Sequence, residues 1–409
     1  MAEPIAVINA GSSSIKFALY TAGANQPAAF RGQVERIGSA PHLSISDLGG
    51  NAVADEQWPA EGFDHRKATS VIFEQAIQLL RGTPVAAVGH RVVHGGTDFA
   101  APIRIDDEII GKLRALCPLA PLHQPHNLAA IEAIAEAAPH MPQVACFDTA
   151  FHRNQPELAQ LFALPREITQ SGVRRYGFHG LSYEFVSQRL RELAPGLGDA
   201  RVLIAHLGNG ASMCAMRAGR SMATTMGFTA VDGLMMGTRC GNIDPGVLIY
   251  LMDERGMGPR DIEDLIYKRS GLLGVSGISS DMRSLRASND SSAAQAIDLF
   301  VYRIVREIGS LVAAMSGIDA LVFTGGIGER DAATRSAVAR GCSWLGVELD
   351  EMRNQMGEGL ISIDEGSLPV WVIRTDEESM VARHTAEVLG LAGTDKARPA
   401  QSDVASAPN

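Results

Sequence analysis

The 409-residue sequence lacks the features that mark a membrane protein, a secreted protein or a cysteine-ligated metal site. No apolar run approaches the roughly 20 residues that are needed to span a bilayer. The chain starts almost at once with an apolar, strand-like segment, so we expect no signal peptide. Its five cysteines follow no disulfide or metal-ligand spacing and stand at positions 117, 146, 214, 240 and 342. Such a set suits a reducing compartment, and we expect a cytoplasmic protein with no membrane partner.

Positive charge is also scarce. The chain has 36 lysines and arginines against 46 acidic residues, which gives a formal net charge of −10. This balance argues against a nucleic-acid partner. An anionic ligand would need cations placed locally, so each arginine beside a glycine-rich turn is informative. The length is too great for one ordinary core, and we expect two domains.

The sequence contains a pair of similar glycine-rich hairpins. The first, Ile5–Tyr20, predicts an apolar strand, a Gly/Ser turn and a second strand of alternating polarity. Such a turn offers backbone N–H groups to a phosphate, and Lys16 adds a cation, although an ordinary polar turn has the same pattern. The second copy, Arg201–Gly219, repeats this plan around His206–Gly210 and indicates an internal duplication.

A third glycine cluster, Val322–Glu329, follows an apolar strand and precedes a helix. We expect its glycines, at 324–329, to form a loop and a helix to follow at 330–340. Three such segments around one cleft indicate a nucleotide site between two similar domains. Elsewhere, helical periodicity predicts helices at 66–81, 181–194, 260–267 and 294–316, with strands at 85–88, 144–147 and 370–373.

Several polar residues near predicted strand ends allow more than one interpretation. His90 and His94 have the spacing of zinc ligands on a helix, but Val92-Val93 and the adjacent glycines favour strand and turn, with no third ligand nearby. Arg91 could present its guanidinium to a carboxylate or phosphate, or it could lie at the surface. Asp148, at the end of a strand, could face a cleft or cap the next segment.

Seven motifs, in this order, resemble the acetate kinase family, within the actin/Hsp70/sugar-kinase fold superfamily. The resemblance runs from about Pro4 to about Leu389, and the motifs are Asn9–Lys16 (NAGSSSIK), His90–Gly96 (HRVVHGG), Phe147–His152 (FDTAFH), Tyr176–Gly180 (YGFHG), His206–Gly210 (HLGNG), Gly237–Gly241 (GTRCG) and Thr324–Glu329 (TGGIGE). It implies an α/β fold of two similar RNase H-like or actin-like ATPase domains with a nucleotide cleft between them. We expect a first domain at 1–150, with the last helix (378–390) packed back on it, a second domain at 151–377, and a disordered tail at 392–409.

The resemblance also implies an activity and its site. The reaction is reversible, direct in-line transfer of the γ-phosphoryl group of ATP to acetate, which gives acetyl phosphate and ADP. Mg²⁺, which Mn²⁺ can replace, and a homodimer through the C-terminal domain are implied as well. The implied residues are, for catalysis, Asp148, His179 and Arg239; for the acyl substrate, Arg91, Val93, Leu122 and Phe178; for the metal, Asn9 and Glu377; and for the nucleotide, Ser12, Lys16, His206, Leu207, Gly208, Asn209, Gly210, Asp281, Met282, Arg283, Gly325, Gly326, Ile327, Gly328 and Glu329.

A carboxylate acceptor changes what catalysis requires, because it is already ionised at neutral pH. No strong general base is needed, and the difficulty is to bring two anions together. Arginines in the cleft would meet this need. We therefore interpret Asp148 as a residue that orients an arginine or a metal-bound water.

The sequence departs from the family pattern at four positions. Ala230 replaces proline, Ala223 stands where aspartate is usual, and Leu181 and Tyr183 replace threonine and histidine. These departures bear on acyl-chain preference and efficiency, so a propionate or other short-chain acyl kinase is the alternative within the class. From another class, an actin- or Hsp70-like structural ATPase is the alternative, although little chain is left for an assembly or peptide-binding domain.

Overall fold

The computed structural model describes residues 3–21, 26–364 and 368–391. The predicted disordered tail at 392–409 lies outside the described residues. The strands of the described chain are β1 Ile5–Ala10, β2 Ile15–Tyr20, β3 Phe30–Glu35, β4 His42–Asp47, β5 Ala52–Gln57, β6 Ala87–Val92, β7 Ile103–Arg104, β8 Gln143–Phe147, β9 Arg201–Leu207, β10 Ala211–Arg217, β11 Arg220–Thr224, β12 Ala320–Thr324, β13 Gly359–Leu360 and β14 Val370–Val372. The helices are α1 His65–Leu79, α2 Asp107–Ala115, α3 Gln124–Ala137, α4 Glu157–Gln160, α5 Arg166–Gln170, α6 Gly180–Leu193, α7 Pro245–Asp253, α8 Pro259–Lys268, α9 Gly271–Ser276, α10 Met282–Arg286, α11 Ser291–Ala314, α12 Gly325–Arg330, α13 Ala332–Gly341, α14 Glu351–Met356 and α15 Glu377–Leu389.

The two sheets share one strand plan. The N-terminal sheet has the order β5-β4-β3-β2-β1-β6-β8-β7, and the C-terminal sheet has the order β11-β10-β9-β12-β14-β13. In each, three consecutive strands form an antiparallel meander, β1–β3 or β9–β11, whose first strand also pairs in parallel with a later strand. A further parallel strand follows, β8 or β14. The predicted α/β fold of two similar halves is therefore confirmed.

Both predicted hairpins are present. The first closes through a turn in which the Gly11 N–H donates to the Ser14 carbonyl at 2.8 Å. Since side chains alternate across each strand, the apolar residues of β1 and β2 divide between the two faces of the sheet. Helices α1 and α3 cover one face, and α15 covers the other along β1, β6 and β8. The boundary near residue 150 itself stays a prediction.

Helix α6 lies between the two sheets. Its Leu181 packs with the N-terminal sheet and α15, whereas Tyr183, Val186 and Leu190 pack with the C-terminal sheet. Tertiary contacts also join α6 to α15, where the His384 Nε2 lies 2.9 Å from the Glu184 carboxylate. One helix therefore carries apolar contacts to both halves, which fixes the position of its N-terminus between them.

The third glycine cluster differs from its prediction. Residues Gly325–Arg330 form the short helix α12, not a loop, and α13 starts only at Ala332. The physical reason is a local side-chain hydrogen bond, because the Glu329 carboxylate accepts from the Gly325 N–H at 3.0 Å and so satisfies a free donor at the start of the helix. In addition, β6 extends through Val92, so His90 and Arg91 lie within the strand.

No helix in the described parts of the chain combines the length and apolar character that crossing a bilayer requires.

Candidate active site

A cleft of about 460 Å³ opens between the two halves. It is lined by residues from both sheets and from the segment that leads into α15, namely Asn9, Lys16, Arg91, His179, His206, Gly208, Asn209, Gly210, Gly325, Gly326, Glu329, Arg330, Thr375, Glu377 and Glu378. Most of these were predicted from the sequence. Arg330, Thr375 and Glu378 were not, although Thr375 and Glu378 flank the predicted Glu377.

Arg91 is tied to the N-terminal side of the cleft. Its Nε and one Nη donate to the two carboxylate oxygens of Asp148 at 3.0 and 2.6 Å, and the other Nη donates to Asn9 Oδ1 at 3.1 Å. Asp148 is almost fully buried, and Glu377 lies 3.6 Å from the same guanidinium. This arrangement matches the interpretation that Asp148 orients an arginine. Each Nη still has one N–H that these bonds do not use.

One close backbone approach places His179. The Gly180 N–H donates to the Asp148 carbonyl at 2.9 Å, and a Cβ at Gly180 would lie 2.1 Å from that oxygen. Only glycine allows this contact. His179, the N-cap of α6, has a left-handed backbone with φ of 57°. Two motifs far apart in sequence, at 147–152 and 176–180, thereby meet at one point.

The His179 ring stacks on His206 with the ring centroids 4.3 Å apart. Its Nδ1 lies 2.8 Å from Ser212 Oγ, and the His206 Nδ1 lies 2.8 Å from Ser182 Oγ. Burial, together with neighbouring positive groups, holds the pKa of His179 well below its usual range, and burial lowers the pKa of His206 to about 4. Both rings are therefore neutral at physiological pH.

Arg239 approaches the same place from the C-terminal half. One Nη donates to the Ala230 carbonyl at 3.0 Å, and the other lies 3.4 Å from His123 Nε2. Its guanidinium makes no ion pair with any residue of the described segments. Burial lowers the pKa of Arg239 and lowers that of His123 to about 3, with the Arg239 charge contributing to the second shift. Arg239 thus presents a largely buried cation whose protein partners are all uncharged.

Glycine-rich segments of the C-terminal half come together beside these residues. Gly325 has φ of 77°, and a Cβ there would lie 2.8 Å from the Leu207 carbonyl, so α12 packs directly on the end of β9. Glu329 also accepts from the Thr375 N–H at 3.1 Å, which links α12 to the segment before α15. The side chain of Glu329 is therefore held by backbone donors on two segments.

The predicted acyl-binding residues lie partly in one apolar cluster. Val93 and Phe178 are both buried in the extended apolar core of the C-terminal half, and Ala230 packs against the same core. The Val93 N–H donates to Asn127 Oδ1 at 3.0 Å, which anchors the strand end. Leu122 is half-buried in the turn before α3 and is not part of this cluster.

Some predicted nucleotide-binding residues lie outside the cleft lining. Asp281 and Arg283, at the start of α10, form an exposed ion pair with each other, and Met282 is buried in the C-terminal core. Ser12 is exposed in the first hairpin turn. Leu207 is fully buried, and Ile327 and Gly328 lie within α12. Their contact with a nucleotide stays a prediction.

The sequence model of the Acetokinase family matches residues 4–383. The chain belongs to this family. An acetate kinase from Rhodopseudomonas palustris is 54% identical over 390 residues, which cover 94% of this chain and 98% of that protein. An acetate kinase from Methylocella silvestris is 49% identical over 399 residues, covering 95% and 98% of the two chains.

Solved structures of the Acetokinase family agree with the fold. A propionate kinase from Francisella tularensis superposes with a TM-score of 0.88 at 35% identity, over 94% of this chain and all of the other. The acetate kinase of Porphyromonas gingivalis gives a TM-score of 0.83 at 38% identity, over 95% of this chain and all of the other. The similarity therefore extends over nearly the whole chain.

Replacing Arg239 with alanine tests whether this cation acts on the reaction itself. We expect kcat for the family's phosphoryl transfer to fall by roughly 10³-fold or more, on the scale of a lost arginine finger, with a much smaller change in the KM for ATP. The exposed Arg340, at the end of α13, offers a control whose replacement should leave both constants unchanged. Steady-state kinetics on the two variants measures this. A near-normal kcat with a weakened KM for ATP would show that Arg239 binds nucleotide instead.

Proposed function

We propose that the chain catalyses the reversible transfer of the γ-phosphoryl group of ATP to acetate, giving acetyl phosphate and ADP. The observation that carries this conclusion is the position of Arg239. Its guanidinium has no ion pair in the described chain and lies beside the neutral His179 at the glycine-rich turn after β9. A cation without a counterion beside the cleft suits two anions that must approach each other.

The steps of the reaction can be assigned to these residues. Acetate is already a carboxylate, so the unpaired N–H groups of Arg91 and the apolar wall of Val93 and Phe178 bind it without removing a proton. The nucleotide phosphates lie along the glycine segments at 208–210 and 325–326. In-line transfer then moves the phosphoryl group past Arg239 and His179, which stabilise its spread charge. Asp148 holds Arg91 in place throughout.

Mg²⁺ fits the donor set at the N-terminal side of the cleft. Asn9 Oδ1 and the Glu377 carboxylate lie next to the same Arg91 guanidinium, and both are oxygen donors of the kind this ion prefers. Asn9 and Glu377 would hold the ion, which Mn²⁺ can replace, and when bound it would neutralise phosphate charge. Titration of Mg²⁺ at fixed ATP should show that Glu377→Gln needs a higher Mg²⁺ concentration for half-maximal activity than the unaltered chain, because a carboxylate ligand is lost. An unchanged titration would contradict the assignment.

A homodimer through the C-terminal half is supported by helix α7. No residue of α7 is buried, yet the helix is largely apolar, with Val247, Ile249 and Tyr250 each 40% exposed or more. An apolar helix left open on one side is typical of an interface. We propose that the same helix of a second copy covers it.

Light scattering tests this proposal. It should give the mass of two chains, and the mass of one chain would contradict the dimer.

A cytoplasmic location is supported by the cysteines. All five are free, and three of them are buried. Free thiols persist in a reducing compartment, where ATP is also available. Cell fractionation tests this location, and recovery from an oxidising compartment would contradict it.

The activity itself is tested by trapping the acyl phosphate with hydroxylamine. With MgATP we expect acetohydroxamate to accumulate only when acetate is present, because the cleft transfers the phosphoryl group to a carboxylate. Parallel assays with propionate measure the alternative acceptor, which the structural similarity to a propionate kinase makes worth comparing. ATP hydrolysis without a trapped product would favour an ATPase of the actin or Hsp70 kind.

Ala230→Pro tests the acyl preference. Ala230 packs on the cluster with Val93 and Phe178, and its carbonyl, which proline keeps, accepts from Arg239. The added ring should narrow the pocket and raise the acetate-to-propionate ratio of kcat/KM. One methylene is worth about 1–3 kcal/mol in an apolar pocket, or roughly 10- to 200-fold. Because the added ring changes only part of the wall, we expect a change near the lower end of this range, about tenfold. An unchanged or lower ratio would remove Ala230 from the account of specificity.

A further inference from the structure

Two buried hydroxyl groups connect the core of the C-terminal half to the His179 ring. The Tyr183 side chain is fully buried on α6, one turn after His179, and its hydroxyl oxygen lies 2.5 Å from Ser212 Oγ. Ser212 Oγ lies 2.8 Å from His179 Nδ1. Among the described residues, the Tyr183 hydroxyl has no other hydrogen-bond partner, and Ser212 Oγ contacts only these two. Tyr183 is one of the positions at which the chain departs from its family.

The Tyr183 hydroxyl, Ser212 Oγ and His179 Nδ1 form a series of hydrogen bonds, and its hydrogen atoms can be placed by counting donors and acceptors. Each hydroxyl has a single hydrogen. If Ser212 donated to Tyr183, the tyrosine hydrogen would have no acceptor in a fully buried position, which is an unfavourable arrangement. If Tyr183 donates to Ser212 and Ser212 donates to His179 Nδ1, every hydrogen has an acceptor. The neutral ring must then carry its own hydrogen on Nε2.

The Nε2 side of the ring faces the cleft. A Cβ placed on Gly210 would lie 3.4 Å from His179 Nε2 and 3.7 Å from an Nη of Arg239, so both groups approach the same point beside the glycine turn. Within the described chain, Nε2 has no hydrogen-bond partner of its own. A neutral N–H donor and a buried cation thus converge where the phosphoryl group would pass.

We propose that Tyr183 is a positioning residue that acts through the Ser212 hydroxyl to hold His179 as the Nε2–H tautomer, so that this N–H donates to the transferring phosphoryl group. Only the donation of the Nε2–H to the phosphoryl group rests on the proposed function. The tautomer itself follows from the two hydrogen-bonded hydroxyls of Tyr183 and Ser212. Burial also keeps the pKa of Tyr183 well above its usual range, so this hydroxyl keeps its hydrogen at neutral pH.

Nitrogen NMR on the full chain, labelled with ¹⁵N-histidine, tests the tautomer without any substrate. His179→Gln identifies the signals of His179 among the 11 histidines. We expect Nε2 to be the protonated nitrogen and Nδ1 the unprotonated one at neutral pH, and Tyr183→Phe to give a mixture of both forms. A wild-type ring protonated at Nδ1 would overturn the proposal, as would an unchanged tautomer in Tyr183→Phe.

Kinetics tests the consequence for phosphoryl transfer. In metal sites, loss of a group that orients a ligating histidine typically costs roughly 10- to 100-fold in activity, and we take the same order for His179. We expect Tyr183→Phe to lower kcat by this factor with the KM for ATP and for acetate nearly unchanged. Ser212→Ala should lower kcat at least as much, and the double variant should be no slower than Ser212→Ala alone, because the two residues act in series. If the kcat losses of the two single variants multiply in the double variant, the two residues act independently. That result would overturn the proposal that Tyr183 acts through Ser212.

Tyr20→Phe is the matched control. Tyr20 is equally buried, but its hydroxyl has no partner in the described chain and lies outside the cleft lining. Its removal should leave kcat and the His179 signals unchanged, and a loss equal to that of Tyr183→Phe would show a general packing effect. If the wild-type chain forms no hydroxamate with any carboxylate, the proposed function fails, while the NMR result still decides the tautomer.

Discussion

The structure of the cleft depends on one backbone contact, the close approach of Gly180 to the carbonyl of Asp148. A side chain at position 180 would collide with that oxygen, so the contact exists only because the residue is glycine. On one side of it, the Asp148 carboxylate holds Arg91. On the other side, helix α6 starts and His179 is held in its left-handed conformation. Arg91 and His179, which we propose bind the acceptor and meet the phosphoryl group, are thereby placed by the same few atoms.

The relation between the halves follows from α6. A helix that contacts two sheets must have apolar residues on more than one face, and Leu181 and Tyr183 lie on different sides of it. Tyr183 also connects to His179 through the Ser212 hydroxyl, so a residue of the core takes part in the geometry of the cleft.

The same helix contacts α15 through the side chains of His384 and Glu184. Burial lowers the pKa of His384, but hydrogen bonds and charges of Glu184 and Glu387 outweigh this and raise it to about 9.

Local patterns predicted much of the fold. The two hairpins were found because alternation in the strands and Gly/Ser residues in the turns are both short-range signals. Helix α11 was placed within a few residues of its bounds for the same reason. The glycine cluster at 324–329 was predicted wrongly, since its helical form depends on the Glu329 side chain reaching back to Gly325. Helix α7 was missed, because residues 246–252 are almost all apolar and show no helical alternation of polar and apolar positions.

The site was predicted mainly through the family motifs. Spacing alone left Arg91 and Asp148 with two interpretations each, and their ion pair joins residues 57 positions apart. The link from Tyr183 to Ser212 spans 29 positions and involves no charge, so no sequence pattern signals it. Side-chain contacts of this kind are set by tertiary packing, and the sequence alone does not show which distant residues will meet.

The return of α15 to the first sheet has a consequence for the order in which the chain can fold during synthesis. This helix covers the face of the N-terminal sheet that includes Ile5, Val7 and Val144. Until the ribosome has released residues 377–389, that face has no cover from α15, although every strand of the sheet has long been made. The N-terminal half is therefore the first to be synthesised and among the last to be completed, with an apolar surface open to chaperones in the interval.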